Sequence, residues 1–219
     1  MDELVLVIGN KNYSSWSLRA WLMLRQLDVP FSEVRIPLDT HAWQREIGKY
    51  SPSRKVPVLN NGEHTVWDSL AICEYASEKF GQGRGWPEST EARAAARSVS
   101  AEMHSGFSAL REALPMDCRR RVTGMRTPED AAGDIRRIRQ IWRWCLEHWS
   151  GKGPFLFGDF CIADAMYAPV ASRFHTYGVR LGSVEKAYVD AILALDTMQE
   201  WFRSAADESE VIHHAEVRV

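Results

Sequence analysis

Three serine hydroxyls lie close together near the start of the chain, at Ser14, Ser15 and Ser17. They follow an apolar run, residues 4–9, whose branched side chains and terminal glycine predict a buried strand. Apolar residues at helical spacing then predict a helix over residues 15–27, so the serines fall at a helix N-terminus. Unpaired backbone N–H groups and the positive end of the helix dipole favour an anion there, and a thiolate is an anion. This segment therefore predicts a site that stabilises a small thiolate.

A second segment reads Lys55-Val56-Pro57-Val58-Leu59. Pro57 cannot donate a backbone hydrogen bond and biases Val56 toward extended geometry, which predicts an edge strand near residues 56–60 entered through a turn. The sequence leaves the Val56–Pro57 peptide bond open between cis and trans. In the cis case, the N–H and C=O groups of Val56 would be exposed for antiparallel pairing with a peptide-like ligand.

A third segment places Asp68 and Ser69 directly ahead of a helix predicted over residues 69–80. A carboxylate and a hydroxyl beside free N–H groups can hold the ammonium and the carboxylate of an amino-acid head group. Taken in order, the three segments predict a binding site for a small thiol that carries an amino-acid end.

The predicted elements alternate between strands and helices up to residue 80 and are helical afterwards. This pattern predicts a small mixed sheet covered by helices over residues 1–80, a glycine-rich linker over 81–87, and an all-helical domain over 88–219. The first half comprises strands 4–9, 31–36, 56–60 and 64–67 and helices 15–27, 41–47 and 69–80. The helices of the second half are 88–114, 128–149, 163–177, 185–195 and 197–206.

The three segments together resemble the cytosolic glutathione S-transferases. The loop Ser-Ser-x-Ser-x-Arg is most similar to the serine-type zeta class, which includes the maleylacetoacetate isomerases, and Gly158–Asp164 resembles a capping segment of the same family. Two positions depart from the pattern: Trp16 stands where the zeta loop has cysteine, and Cys161 stands where the family usually has serine or threonine. Asp164 is expected to cap the helix that follows.

The resemblance implies a thioredoxin-like domain followed by an all-α helical bundle, with glutathione as co-substrate and no metal. It implies that Ser14 or Ser15 hydrogen-bonds the thiolate, while Val56 pairs with the cysteinyl backbone. The further glutathione-binding candidates are Asp68, Ser69, Lys55, His41 and Trp43. Lys55 either contacts a carboxylate of glutathione or is a solvated surface lysine. Tyr13 either donates to the thiolate, as tyrosine does in other classes of the family, or packs in the loop.

The second substrate is expected between the first loop and the early helices of the helical domain. Trp16 is predicted to form a wall of this pocket, and the other candidates are His104, Phe107, Arg111 and Arg173. Arg19, inside the first helix, is expected to form a structural ion pair. The predicted partner is a small hydrophobic or acidic electrophile, and the resemblance implies a homodimer.

Composition narrows the function classes. The 219 residues carry a net charge of −2, which offers no reason to expect nucleic-acid or anionic-membrane partners. No apolar stretch reaches the ~20 residues that span a bilayer, and we expect a cytoplasmic protein. The four cysteines are far apart and are expected to be buried thiols: Cys73, Cys118, Cys145 and Cys161.

Two other functions are alternatives to conjugation or isomerisation of an electrophile by glutathione. The first is a transferase-like binding or regulatory module without useful turnover, which the bulk of Trp16 would favour. The second is a disulfide oxidoreductase, which the absence of cysteine from the helix-start loop argues against, although exchange by a remote cysteine stays open. A catalyst must lower the pKa of the bound thiol, whereas a binding module need not.

Overall fold

The computed structural model describes residues 4–122, 124–151 and 153–216. The first half contains β1 (Val5–Ile8), α1 (Ser15–Gln26), β2 (Ser32–Arg35), α2 (His41–Tyr50), β3 (Val58–Asn60), β4 (Thr65–Trp67) and α3 (Ser69–Phe80). The second half contains α4 (Thr90–Ser105), α5 (Ser108–Ala113), α6 (Glu129–His148), α7 (Ile162–Thr176), α8 (Ser183–Ala194) and α9 (Asp196–Ala206), followed by a short 3-10 helix, His213–Ala215. The predicted α/β domain followed by a helical domain is confirmed.

The four strands form one mixed sheet in the order β2-β1-β3-β4. β1 runs parallel to β2 and antiparallel to β3, and β3 and β4 form an antiparallel hairpin. Alternate side chains of β1 enter different cores: Leu6 and Ile8 pack in the main core with α1 and α3, whereas Val7 packs with Ile47 of α2 on the other face. Because both faces of β1 are covered, its sequence is apolar without alternation.

The structure corrects two predicted elements. β3 lies between β1 and β4 and is not an edge strand; Val56 and Pro57 precede it, so the proline removes no hydrogen bond from the ladder. The single helix predicted over 88–114 is broken into α4 and α5 at Gly106 and Phe107. A side chain at Gly106 would meet the carbonyl oxygen of Glu102 at 2.8 Å, and Phe107 adopts a left-handed conformation with φ of 60° that buries its ring in the core.

The helical domain is built around α7, which is buried along almost its whole length. Asp164 begins this helix by accepting backbone N–H groups from Cys161 at 2.9 Å and Leu156 at 3.1 Å, which agrees with the predicted capping role. Burial raises the pKa of Asp164 to about 6, and these hydrogen bonds oppose that rise.

The sheet domain and the helical domain share one hydrophobic core, because α7 packs against α1 and α3. Residues 81–89 connect α3 to α4 without regular helix, and the predicted linker falls within this segment. In the described residues, no helix is long and apolar enough to cross a membrane.

Candidate active site

The serine loop joins β1 to α1 and presents its hydroxyls at the helix N-terminus. Ser14 is the N-cap residue of α1, and its Oγ accepts the backbone N–H of Ser17 at 3.3 Å. The Oγ atoms of Ser14 and Ser17 are 2.7 Å apart, and the Oγ of Ser17 also accepts the N–H of Gly9 at 3.1 Å. If Ser17 donates its hydroxyl hydrogen to Ser14, the hydrogen of Ser14 is free to point elsewhere.

A cleft of about 440 Å³ opens beside this loop and is walled by both domains. The predicted site residues that line it are Ser14, Ser15, Trp16, Trp43, Lys55, Val56, Arg111 and Arg173. The lining of the cleft also includes four residues that the sequence analysis did not single out: Leu38, Pro115, Met116 and Ala215. These four lie in loops or in the C-terminal segment, where no periodic pattern marks a residue as facing a cleft.

One wall of the cleft is the turn that enters β3. The Val56–Pro57 peptide bond is cis, which answers the question left open by the sequence. Ser51 holds this turn, since its Oγ accepts the N–H of Lys55 at 3.1 Å and donates to the carbonyl of the same residue at 2.8 Å. Val56 therefore lies at a defined place opposite the serine loop.

Asp68 and Ser69 lie at the start of α3, as predicted, but outside the residues that line the cleft. Oδ1 of Asp68 accepts the N–H of Leu70 at 2.8 Å, and Oδ2 lies 3.3 Å from Nε2 of His104. The hydroxyl of Ser69 is buried and has no hydrogen-bond partner in the described part of the chain. Asp68 has a positive φ of 27°, which is uncommon for a residue other than glycine and recurs at functional sites.

Trp16 lies among cationic side chains. The guanidinium carbon of Arg19 is 4.4 Å from the centre of its ring and that of Arg111 is 5.3 Å away, while His104 meets the ring edge to face at 5.3 Å. Arg19 is 1% exposed, and the expected ion pair is not found: no acidic group lies within 4.0 Å among the described residues. Its burial, together with repulsion from Arg173 and Arg111, lowers the pKa of Arg19 to about 9.

Arg173 reaches the serine loop from α7. Its Nε donates to the carbonyl of Leu114 at 2.8 Å, and its Nη2 donates to the Oγ of Ser15 at 3.3 Å. Burial and the nearby Arg111 cation lower the pKa of Arg173 to about 10, so Arg173 keeps its positive charge at neutral pH. Neither Arg173 nor Arg111 forms an ion pair with a carboxylate in residues 4–122, 124–151 and 153–216, although the charges of Asp134 and Glu112 act on Arg111 from farther away.

Besides Asp68 and Ser69, three further candidates lie away from the cleft lining. His41 is exposed at the start of α2, Phe107 is in the core, and His104 reaches the site only through Trp16 and Asp68. Tyr13 does line the cleft, but its hydroxyl donates to Glu216 at 2.8 Å and points to the C-terminal segment. The hydroxyl geometry favours the packing alternative for Tyr13 over donation to a thiolate.

The four cysteines are buried and unpaired, as expected. Burial raises the pKa of Cys118 and Cys145 to about 12, and it raises the pKa of Cys73 and Cys161 as well. A thiol must ionise to attack a disulfide, so these residues are unsuited to exchange by a remote cysteine. Among the described side chains, no group of three or more His, Cys, Asp and Glu residues could hold a metal ion.

Two family descriptions match the chain. Residues 13–79 match "Glutathione S-transferase, N-terminal domain", and residues 128–204 match "Glutathione S-transferase, C-terminal domain". A dichloromethane dehalogenase of Methylorubrum extorquens is 42% identical over 72 residues, which cover 32% of this chain and 25% of that protein. A probable maleylacetoacetate isomerase of Drosophila melanogaster is 29% identical over 166 residues, covering 74% of this chain and 65% of that protein. The chain thus aligns with less than two thirds of the length of each relative.

Solved structures share the fold over nearly the whole chain. A glutathione transferase homolog from Burkholderia with bound glutathione has a TM-score of 0.71 and 23% identity, covering 94% of this chain and 99% of that one. A bacterial maleyl pyruvate isomerase of the zeta class has a TM-score of 0.70 and 20% identity, covering 94% of this chain and all of the other. At these identities the likeness concerns the fold alone.

Proposed function

The chain belongs to the glutathione S-transferase family, and we propose that it is an enzyme that activates the thiol of glutathione with a serine hydroxyl. The activated sulfur attacks a small acidic electrophile. The observation that carries this proposal is the cleft in which the hydroxyls of Ser14 and Ser15, at a helix N-terminus, share one space with Val56 and with two arginines that form no ion pair in the described part of the chain, Arg111 and Arg173.

Ser14 is the proposed donor to the thiolate. The N–H of Gly9 donates to Ser17, and Ser17 can donate in turn to Ser14, so the chain of hydrogen bonds polarises the Ser14 hydroxyl and leaves its hydrogen for the sulfur. The positive end of α1 acts in the same direction, because it favours the anionic form of the thiol. Ser15 accepts from Arg173 and is assigned to the electrophile side of the cleft.

The remaining candidates are assigned to the tripeptide. Val56 is proposed to pair with the cysteinyl backbone, and Asp68 with Ser69 to hold the γ-glutamyl end, where the buried hydroxyl of Ser69 has no hydrogen-bond partner within the described ranges. Lys55 and Trp43 line the cleft and suit the glycyl carboxylate, whereas exposed His41 suits it only at the rim. These contacts bind the ground state and the transition state alike, so they set affinity more than turnover.

The electrophile is proposed to carry a carboxylate that Arg111 and Arg173 bind, with Trp16 as one wall. The thiolate donates an electron pair to an electrophilic carbon, and a C–S bond forms while either a leaving group departs with its bonding pair or the π bond of an activated double bond opens. In conjugation the C–S bond persists in the product. In isomerisation the same bond breaks after rotation in the adduct and the thiolate is restored. The names of the relatives, a dehalogenase and an isomerase, are compatible with both outcomes.

The test is an ultraviolet titration of the purified protein with glutathione, following thiolate absorbance as the pH is raised. Wild-type protein is expected to lower the thiol pKa from its usual ~8.5 by at least about one pH unit. Ser14→Ala should abolish that effect, and Ser15→Ala, its matched control on the next residue, should keep most of it. Ser14→Gly separates the hydroxyl from the helix cap, because glycine caps nearly as well as serine.

Each outcome has a defined reading. Saturable binding with an unchanged thiol pKa would favour the binding module over the enzyme. No binding of glutathione would refute the assignment altogether. An effect that persists in Ser14→Ala and is lost in Ser15→Ala would move the donor role to Ser15.

A homodimer is part of the proposal. Trp67 is 48% exposed on β4, which forms one edge of the four-stranded sheet and leaves an apolar side chain beside an open strand. Light scattering should give twice the monomer mass of 25.0 kDa, and Trp67→Arg should reduce it.

The reduced, buried cysteines suit a reducing compartment such as the cytoplasm.

A further inference from the structure

The loop that carries the serines is held by a carboxylate from the other end of the chain. Glu208 follows α9 and is 8% exposed. Its Oε1 accepts the backbone N–H of Lys11 at 2.7 Å and its Oε2 accepts that of Asn12 at 3.0 Å. Both are charge-assisted hydrogen bonds, a stronger kind than bonds between neutral groups.

These two N–H groups directly precede the turn that sets Ser14. The N–H groups of Tyr13 and Ser14 both donate to the carbonyl of Asn10, at 3.2 and 2.8 Å, so the loop is one compact turn from residue 10 to residue 14. A shift of Lys11 or Asn12 would therefore be transmitted to the Ser14 hydroxyl. Because β1 ends at Ile8, the N–H groups of Lys11 and Asn12 take no part in the strand ladder.

Glu208 is in turn fixed by its surroundings. Arg119 donates through Nη1 to the carbonyl of Glu208 at 2.6 Å, and the Nη2 of the same arginine donates to Tyr13 at 2.8 Å. Glu208 lies beyond residue 204, where the match to the C-terminal family description ends, and Lys11, Asn12 and Arg119 also lie outside both matched segments. We call the hydrogen bonds from the backbone of Lys11 and Asn12 to Glu208 the clamp. The clamp is thus a feature of this chain that the family descriptions do not cover.

We propose that Glu208 is a positioning residue for the thiolate donor: it holds the serine loop so that the Ser14 hydroxyl meets the sulfur of glutathione. This inference rests on the proposed function. A positioning role and an electrostatic role of Glu208 predict opposite shifts of the thiol pKa when the carboxylate is removed. Removing a nearby negative charge would by itself favour the thiolate and lower the thiol pKa, whereas displacing the hydroxyl raises it.

Glu208→Gln is the decisive variant. The amide oxygen can accept one of the two N–H groups, but the amide nitrogen then faces the other, so the loop must move. Glu210→Gln is the matched control: its carboxylate lies two residues along the same segment and bonds Arg35 at 2.9 Å, the same arginine that Glu208 approaches at 3.6 Å, but it makes no bond to the serine loop in the described residues. Glu208→Asp keeps the charge on a shorter arm and should show smaller changes of the same sign, which keeps the test open if Glu208→Gln fails to fold.

Three readouts are compared among these proteins: the pKa of bound glutathione, the affinity for S-methylglutathione, and hydrogen exchange of residues 10–14. In Glu208→Gln we expect a thiol pKa higher by about one pH unit. Exchange in the loop should be faster, while the affinity for the analogue, which has no thiol to ionise, should stay within about twofold. Glu210→Gln should match wild type throughout.

An unchanged or lower thiol pKa in Glu208→Gln would overturn the positioning role, and so would equal effects in Glu210→Gln. If wild-type protein did not lower the thiol pKa at all, the proposed function would fail on that measurement alone. Hydrogen exchange would still decide the clamp, because it needs no glutathione: faster exchange confined to Glu208→Gln supports it, and unchanged exchange overturns it.

Discussion

Arg19 is a buried cation whose replacement should make the protein more stable. It is 1% exposed, its Nε and Nη1 have no hydrogen-bond partner among the described residues, and it is compensated by the ring of Trp16 at 4.4 Å and, more weakly, by the charge of Asp68. Arg19→Met keeps a long, unbranched side chain that can fill the same space against the indole. The perturbation therefore removes a buried charge and opens little or no cavity.

The magnitude follows from the pKa. A fall from the ordinary value of 12.5 to about 9 corresponds to a penalty on the order of 5 kcal/mol for the charged form. The desolvated cation–π contact with Trp16 offsets about 2 kcal/mol of that penalty. Arg19→Met should thus raise the free energy of unfolding by about 2–3 kcal/mol, in the range seen when buried ions are replaced by apolar residues.

The pH dependence gives a second signature. Between about pH 9 and the ordinary pKa of 12.5, the unfolded chain binds more protons at this residue than the folded chain does, so wild-type stability should rise with pH there. Arg19→Met lacks this group, and its advantage should shrink as the pH rises through about 9.

The assay is urea unfolding followed by tryptophan fluorescence at neutral and alkaline pH. The matched control is Arg25→Met on the same helix, where the arginine side chain is 40% exposed and pairs with Glu200 at 2.9 Å. Breaking that surface pair should cost less than about 1 kcal/mol. A variant Arg19→Met that is less stable than wild type, or whose advantage does not change with pH, would refute the reasoning.

Three further outcomes are expected. Arg111→Met should raise KM about tenfold for an electrophile with a carboxylate and little for its methyl ester, measured by steady-state kinetics; equal effects on both would argue against anion binding at Arg111. Burial acts to raise the pKa of Glu185, but hydrogen bonds from Arg143 and Arg139 leave it below the ordinary 4.5. Glu185→Gln should therefore cost about 1–3 kcal/mol in urea unfolding at pH 7, a difference that is present above about pH 4.5 and lost as the pH falls through the lower folded value. The buried thiols should react with an aromatic disulfide only as fast as the protein opens, and rapid labelling of native protein would contradict this: Cys73, Cys118, Cys145 and Cys161.

Much of the site could be predicted because its parts are local. Ser14 and Asp68 cap the helices that follow them, and capping is a short-range rule written in residue type and position. The turn before β3 follows in the same way from Pro57. Arg19 was mistaken for an ion-paired residue, because the sequence shows that a helix carries an arginine but not that a tryptophan covers it and that other arginines surround it.

The break between α4 and α5 was missed for a related reason. Helical spacing continues through Gly106 and Phe107. The left-handed conformation of Phe107 is stabilised by the burial of its ring in a core made by other helices. The edge position expected near Pro57 failed similarly. A proline outside the ladder has the same local signature as a proline at a sheet edge, and only the pairing of β3 with β1 separates the two.

The sequence by itself determined the alternation of strands and helices up to residue 80 and the helical pattern after it, the serine and aspartate caps, and the resemblance of the chain to a known family, because these depend on neighbours within a few residues. Only the tertiary structure decided which side chains share the cleft. Arg173 meets Ser15 across 158 positions, and Glu208 meets Lys11 across 197. Such contacts are chosen by the packing of α7 and α9 against α1, and no local propensity carries information about a partner so far along the chain.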